Sequence, residues 1–217
     1  MRRLSRAAAC PDGTSSVEAA LPTLPDLLTE SLDVVFVGIN PSIYSVERGH
    51  YFARPSNRFW PCISRSILTR SARKALSVET LGPEHDGALL CYGIGFTDLV
   101  KRATPKASDL RSSELAAGVE HLLEKVDRYR PRIACFHGVT GYRYVHNMLV
   151  GKTIEVALGL QDVRLGATRI FLVPNPSGAN AHFSRDDQTR WYDALAACLG
   201  TSSAVRFRSR PPARRES

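Results

Sequence analysis

The segment Asp33–Trp60, DVVFVGINPSIYSVERGHYFARPSNRFW, constrains this chain more than any other. It opens on Val34-Val35-Phe36-Val37 followed by Gly38. A short, unbroken, β-branched run of this kind forms a central parallel strand, because helices cover both faces of such a sheet. The run halts at Gly38-Ile39-Asn40-Pro41-Ser42. Gly38 permits a close backbone approach, while Pro41 has no N–H to extend a ladder and confines Asn40 to an extended conformation. Asn40 is thereby held on a stiff turn at the carboxyl end of a buried strand, where open α/β sheets hold their ligands. Its amide, with one acceptor and two donors, can position a water or read a polar ring edge. The same turn also reads as an Asx-turn that only caps the strand.

The rest of the chain alternates in the same manner. A short helix is expected within Leu21–Leu32 before the first strand, and another starting at Ser56-Asn57, with Pro61 tolerated in its first turns. Residues 70–86 read as polar and irregular, and Ala88–Tyr92 as a short buried strand that ends at Gly93-Ile94-Gly95-Phe96-Thr97-Asp98. Ser112–Tyr129 is the clearest helix: Ser112 or Ser113 caps it, and Leu115, Val119, Leu122, Leu123 and Val126 form one apolar stripe. Ile133–Phe136 is a strand ending at His137-Gly138, and Tyr142–Val150 a helix. Val163–Leu165 and Arg169–Val173 flank a hairpin turn at Gly166-Ala167, and Ser184 caps a last helix through Leu199. This order predicts a three-layer α/β/α sandwich on a mainly parallel sheet, with the loops that follow its strands gathered along one edge. The domain expected is a single one over residues 31–200, with a flexible lead-in over 1–30 and a disordered basic tail over 201–217.

The net charge of +8 is not only a tail effect. The last seventeen residues hold five Arg against one Glu and the first thirty hold three Arg against four acids, which leaves a surplus of five positive charges on the body. A basic body suits a polyanion, most commonly nucleic acid; a solvated basic surface is the alternative. The five cysteines are dispersed without a CxxC, and the six histidines lack metal-ligand spacing, so neither metal nor disulfide framework is expected. No apolar run approaches the ~20 residues needed to cross a bilayer, and the N-terminus is too short in apolar residues for a secretory signal. An intracellular protein is expected.

Two turns pair up: Gly38-Ile39-Asn40-Pro41-Ser42 and Pro174-Asn175-Pro176-Ser177-Gly178. Neither carries GxGxxG or GxxxxGK[ST], so no nucleotide cofactor is expected, and no GxSxG surrounds Ser42 or Ser177. Four segments, GINPS, GHYFARPSNRFW, GIGFTDLVKRATP and VPNPSGANAHF, occur in order between about Asp33 and Leu199. Together they resemble the mismatch-specific uracil/thymine DNA glycosylases, family 2 of the uracil-DNA glycosylase superfamily.

The resemblance implies a monofunctional, base-flipping enzyme that needs no cofactor and hydrolyses the N-glycosidic bond of uracil, and in some members thymine, mispaired with guanine in DNA. Departing uracil leaves an anion on the base and an oxocarbenium-like sugar, so such a site needs donors at the base oxygens and an acceptor holding water beneath the sugar. Asn40 matches the family's water-positioning residue, and Phe52 the aromatic that stacks on the flipped base. Ile39, Ser42 and Tyr51 are expected beside the base, with His50 flanking it, and Thr104 matches a residue that helps polarise the water. Asn57 is expected to cap the next helix. Asp98 departs from the Asn or Lys usual in related enzymes and can serve as a true general base, sharing the water with Asn40. Its alternative roles are an N-cap or a salt bridge with Lys101 or Arg102.

The second proline loop resembles the loop that fills the gap left by the flipped base, so Ser177, Gly178, Ala179, Asn180 and His182 are expected on DNA, with Gly178 and Asn180 at the widowed guanine. Ala179 stands where relatives place a bulky side chain. Either His182 or Phe183 then inserts, or discrimination of the opposite base is weak. Ser42 replaces a glycine usual at its position, and its extra atoms near the pyrimidine C5 edge favour uracil over thymine. A monomer acting on duplex or single-stranded DNA is expected. Excision of deaminated purines, a lesion-binding protein without turnover, and a nucleoside hydrolase are the alternatives.

Overall fold

The computed structural model describes residues 23–152, 155–180 and 182–200. Five strands, β1 (Val34–Gly38), β2 (Ile94–Asp98), β3 (Ile133–His137), β4 (Gly159–Leu165) and β5 (Thr168–Val173), form one sheet in the order β2-β1-β3-β5-β4. All neighbours are parallel except the β4–β5 hairpin. Among the described residues six α-helices surround it: α1 (Ile43–Arg48), α2 (Phe59–Arg65), α3 (Arg70–Leu76), α4 (Ser112–Tyr129), α5 (Val139–Val150) and α6 (Arg185–Gly200).

The alternation of side chains along a strand divides the core into two layers. Val34 and Phe36 pack with Phe59, Ile63, Ala72, Tyr192 and Leu195 beneath α2, α3 and α6. Val35 and Val37 pack with Leu115, Val119, Leu122, Tyr142 and Val145 beneath α4 and α5. The three-layer sandwich expected from the element order is the one observed. Because β1 has β2 on one side and β3 on the other, the carboxyl ends of these three strands, Gly38, Asp98 and His137, lie side by side at the switch point of the sheet.

Several local expectations are corrected. The described part of Leu21–Leu32 is not helical: Leu27 exchanges both backbone hydrogen bonds with Phe96, at 2.9 Å each. β2 is an edge strand and offers free ladder groups, and Pro25 disfavours a helix. The lead-in expected through residue 30 is correspondingly packed from Leu24, which is 2% exposed; residues 1–22 and the basic tail 201–217 lie outside the described residues.

Ala88–Tyr92 forms a 3-10 helix rather than a strand, closed by Gly93 at φ 76°, and the strand is the segment that follows. Gly95 disguised it, yet a Cβ there would lie 2.6 Å from the Leu27 carbonyl oxygen, so only glycine lets the Leu24–Leu28 segment close on β2. Residues 70–86 contain α3 and a 3-10 turn at Pro83–His85. The cap of α4 comes from Glu114, whose carboxylate accepts the Arg111 N–H at 2.9 Å, and not from Ser112 or Ser113. α5 begins three residues earlier than expected, behind Gly138 at φ 77°.

Candidate active site

The three strand ends open into a cleft of about 260 Å³, lined by residues of both proline turns and of the Tyr51–Asn57 loop. Its floor is stitched by backbone: Leu99 and Val100 donate to the carbonyls of Gly38 and Ile39 at 2.9 Å, and Thr104 to that of Pro41 at 3.3 Å. The turn after β1 and the loop after β2 therefore form one rigid unit.

Within it the Asn40 amide has a defined orientation. Its Nδ2 donates to the Arg102 carbonyl at 3.0 Å and to Thr104 Oγ1 at 2.7 Å. A carbonyl can only accept, and Thr104 commits its own hydroxyl proton to the Lys106 carbonyl at 2.7 Å. Nδ2 must therefore face this side, and among the described residues no donor reaches Oδ1, which is left as an acceptor in the cleft wall. Thr104 orients Asn40, and with its proton committed it has none to give a water.

Asp98 lies opposite Gly38 in the parallel register and is 4% exposed. Lys101 pairs with Asp26 at 2.9 Å and Arg102 with Glu114 at 2.6 Å, so neither of the cations expected as partners is bonded to Asp98. Its Oδ2 is buried without a hydrogen-bond partner among the described residues. Burial pushes its carboxyl up to about 7, against the pull of Lys101 and Lys125. A carboxylate left unpaired and poised near neutrality is suited to taking a proton.

The aromatic wall is held under strain. Phe52 has φ 54°, a left-handed conformation unusual for a bulky residue. Its ring stacks on the buried Phe59 ring at 4.3 Å and 25° while lining the cleft. Tyr51 fixes this loop: its N–H donates to Asp86 Oδ2 at 2.9 Å, its hydroxyl to the Pro25 carbonyl at 3.1 Å, and its carbonyl accepts from the Trp60 indole at 2.9 Å. His50 reaches Asp86 at 3.2 Å. Arg58, not Asn57, is the N-cap residue of α2; Asn57 precedes it in an Asx-turn, its Oδ1 accepting the Phe59 N–H at 2.9 Å.

Ile39, Asn40, Ser42, Tyr51, Phe52, Asp98, Thr104 and Ser177 all line this one cleft. Ser42 also caps α1, accepting the Ser45 N–H at 3.2 Å. Gly178, Ala179 and His182 are exposed on the second proline loop, outside the cleft lining. Asn180 turns its side chain inward, donating to the Asn175 carbonyl at 2.9 Å and accepting the His182 N–H at 3.2 Å.

Sequence reasoning missed two residues. Arg58 clamps the second proline loop: its guanidinium donates to the carbonyls of Phe183 at 2.6 Å, Ser177 at 3.3 Å and Asn180, and its N–H to that of Pro176 at 2.8 Å. His137, at the end of β3, lines the cleft with Nε2 3.1 Å from the Tyr192 hydroxyl and Nδ1 buried without a partner among the described residues. Burial lowers its imidazole to about 3 and keeps it neutral. The signal for His137 was its place at a strand end beside Gly38 and Asp98; Arg58 carried none, since its partners lie over a hundred residues away. Among the described residues no group of three or more His, Cys, Asp or Glu side chains is arranged to hold a metal.

The uracil DNA glycosylase superfamily model matches residues 25–197. The chain is 32% identical over 181 residues to a G/U mismatch-specific uracil DNA glycosylase of Schizosaccharomyces pombe, an alignment covering 82% of this chain and 54% of that relative. The chain thus spans about half the length of the curated relative it matches.

Proposed function

The chain belongs to the uracil DNA glycosylase superfamily, and from that premise we propose that it is a monofunctional glycosylase that flips uracil out of G·U-mismatched DNA and hydrolyses its N-glycosidic bond. The observation that carries this reading is the juxtaposition, in one cleft, of the oriented Asn40 amide, the unpaired Asp98 carboxylate and the strained, stacked Phe52. Phe52 stacks on the flipped base. Asn40 Oδ1 accepts one hydrogen of a water beneath the sugar, and Asp98 takes its proton as the oxygen bonds to C1′. The C1′–N1 electron pair leaves with the base, and the Asp98 carboxylate stabilises the positive charge developing on the sugar.

Ser42 lines the cleft, and its extra atoms relative to glycine would crowd a methyl group at C5, which favours uracil over thymine. The second proline loop, held by Arg58, carries Gly178 and Asn180 to the widowed guanine. With Ala179 unable to fill the gap, exposed His182 suits insertion better than half-buried Phe183. The enzyme acts as a monomer inside the cell, where the DNA is, as one domain that begins at about Leu24 and runs through residue 200, and the basic tail adds nonspecific phosphate affinity.

Release of free uracil from a labelled G·U duplex tests the reading. Uracil release that falls steeply with salt, as phosphate contacts require, is the expected result. Binding without release identifies a lesion-binding protein, and equal action on free deoxyuridine a nucleoside hydrolase. A second reading, excision of hypoxanthine or xanthine, is favoured by the burial of Asp98, which pushes its carboxyl up to about 7 and favours the protonated form that can donate to a purine acceptor. A panel of uracil, thymine, hypoxanthine, xanthine and ethenocytosine, each in duplex and single strand, decides between them.

A further inference from the structure

Beneath the cleft, on the far side of β2, lies a charged cluster that the reaction scheme does not use. Asp26 accepts from Lys101 at 2.9 Å and from Thr97 Oγ1 at 2.7 Å through Oδ1, and pairs with Lys125 at 2.8 Å through Oδ2. Lys125 also reaches Thr97 Oγ1 at 3.1 Å, and Lys101 the Tyr51 hydroxyl at 3.5 Å. One carboxylate thus holds two ammonium groups, from the loop after β2 and from α4. Asp26 is itself fixed in place by its neighbour, since Leu27 exchanges both backbone hydrogen bonds with Phe96.

We propose that Asp26 is a positioning residue for the reaction, withholding Lys101 and Lys125 from Asp98 so that this buried carboxylate stays unpaired and able to accept a proton. The inference rests on the reading of Asp98 as the base. Lys101, Lys125 and Asp26 are the charged groups that act on Asp98. Tyr51 and His137, which line the same cleft, are both held neutral by burial, and Asp86 stands behind Tyr51, bonded to its N–H. An ammonium brought closer to Asp98 would stabilise its ionised form and make the carboxylate a weaker base. Asp26 prevents this by offering both cations a closer partner and adds a like charge of its own.

The sign follows from charge. Removing the Asp26 charge frees two cations and favours ionised Asp98; removing either lysine does the opposite. Single-turnover uracil release from a G·U duplex, measured across the pH range in which the rate rises, reads this directly. Asp26→Asn moves the rising limb to lower pH by roughly one unit and Lys125→Met moves it to higher pH. A packing role would lower the rate of both variants without displacing their limbs in opposite directions. Limbs that stay at the wild-type position, or move the same way in both variants, overturn the proposal.

If Asp26→Asn does not fold, Lys125→Met and Lys101→Met carry the test, with an upward shift expected in each and an unmoved limb contradicting it. The carboxyl 13C resonance of Asp98, titrated in the folded protein, gives the same answer without turnover. Asp98→Asn separates the two levels. If it removes the limb while the Asp26 and lysine variants leave it unmoved, only the positioning role fails; if it leaves rate and limb intact, the assignment of the base fails and the proposal with it.

Discussion

Asp98 occupies the space that a side chain on Gly38 would need: a Cβ at residue 38 would lie 2.2 Å from Asp98 Oδ1. The two residues are register partners at the carboxyl ends of β1 and β2. The glycine that ends the first strand is therefore a requirement of the carboxylate beside it. Gly38→Ala is expected to leave the fold intact, because residue 38 is the last of its strand, and to displace the Asp98 carboxyl. Uracil release should fall at least tenfold while DNA binding changes little, and a crystal structure of the variant should show Asp98 rotated.

Asp98 is also expected to destabilise the protein. Its folded-state carboxyl is raised from 3.8 to about 7 by burial. A group raised on folding adds stability below its unfolded value, and that contribution is lost as pH rises through the folded value. Asp98→Asn should therefore become progressively more stable relative to wild type between about pH 4 and pH 7, by on the order of 4 kcal/mol in total, at about 1.4 kcal/mol per unit. Chemical denaturation of both proteins across this range checks it; a stability difference independent of pH contradicts the raised carboxyl.

Thr104 is expected to act through Asn40. Thr104→Val removes the acceptor 2.7 Å from Nδ2 but leaves the Arg102 carbonyl in place at 3.0 Å. Loss of one hydrogen bond that only orients a catalytic group is expected to cost roughly 10- to 100-fold in the single-turnover rate, about 1.4–2.7 kcal/mol, with little change in DNA affinity. Asn40→Ala is expected to cost more. Equal effects would assign Thr104 a direct part in the chemistry.

Arg58 is expected to govern the second proline loop. Its bonds to the Ser177, Asn180 and Phe183 carbonyls use the planar fork of the guanidinium, so lysine cannot replace them. Arg58→Lys should accelerate amide exchange across residues 175–180 and lower the preference for uracil opposite guanine, while uracil release from single strands is retained. Unchanged exchange in this loop would show that the clamp is dispensable.

The parts legible in the sequence were those whose reasons are local. The Val34–Val37 run, the rigid Asn40-Pro41 turn, the apolar stripe of α4 and the Gly166-Ala167 hairpin all state their structure within a few residues. Phe52 and Thr104 became legible only through resemblance, because nothing in their neighbours declares a left-handed backbone or a bond to Asn40. What stayed hidden was decided by distant partners. Leu24–Leu28 closed on β2 because that strand lacked a neighbour on its edge, the need for glycine at residue 95 was hidden because the chain that crosses over it comes from residue 27, and His137 and Arg58 took their roles from the folded sheet edge. Short apolar runs such as Ala88–Tyr92 have no periodicity to separate strand from helix.

In the proposed reaction Asn40 and Asp98 act on one water. A double-mutant cycle on single-turnover uracil release from a G·U duplex, using Asn40→Ala, Asp98→Asn and the combination in proteins shown to be folded, tests it most directly. Each single variant is expected to lose roughly 10²–10⁴-fold, and the double variant little more than the worse single one, because a water already lost cannot be lost again. Full uracil release by Asp98→Asn, or losses that multiply in the double variant, would contradict it.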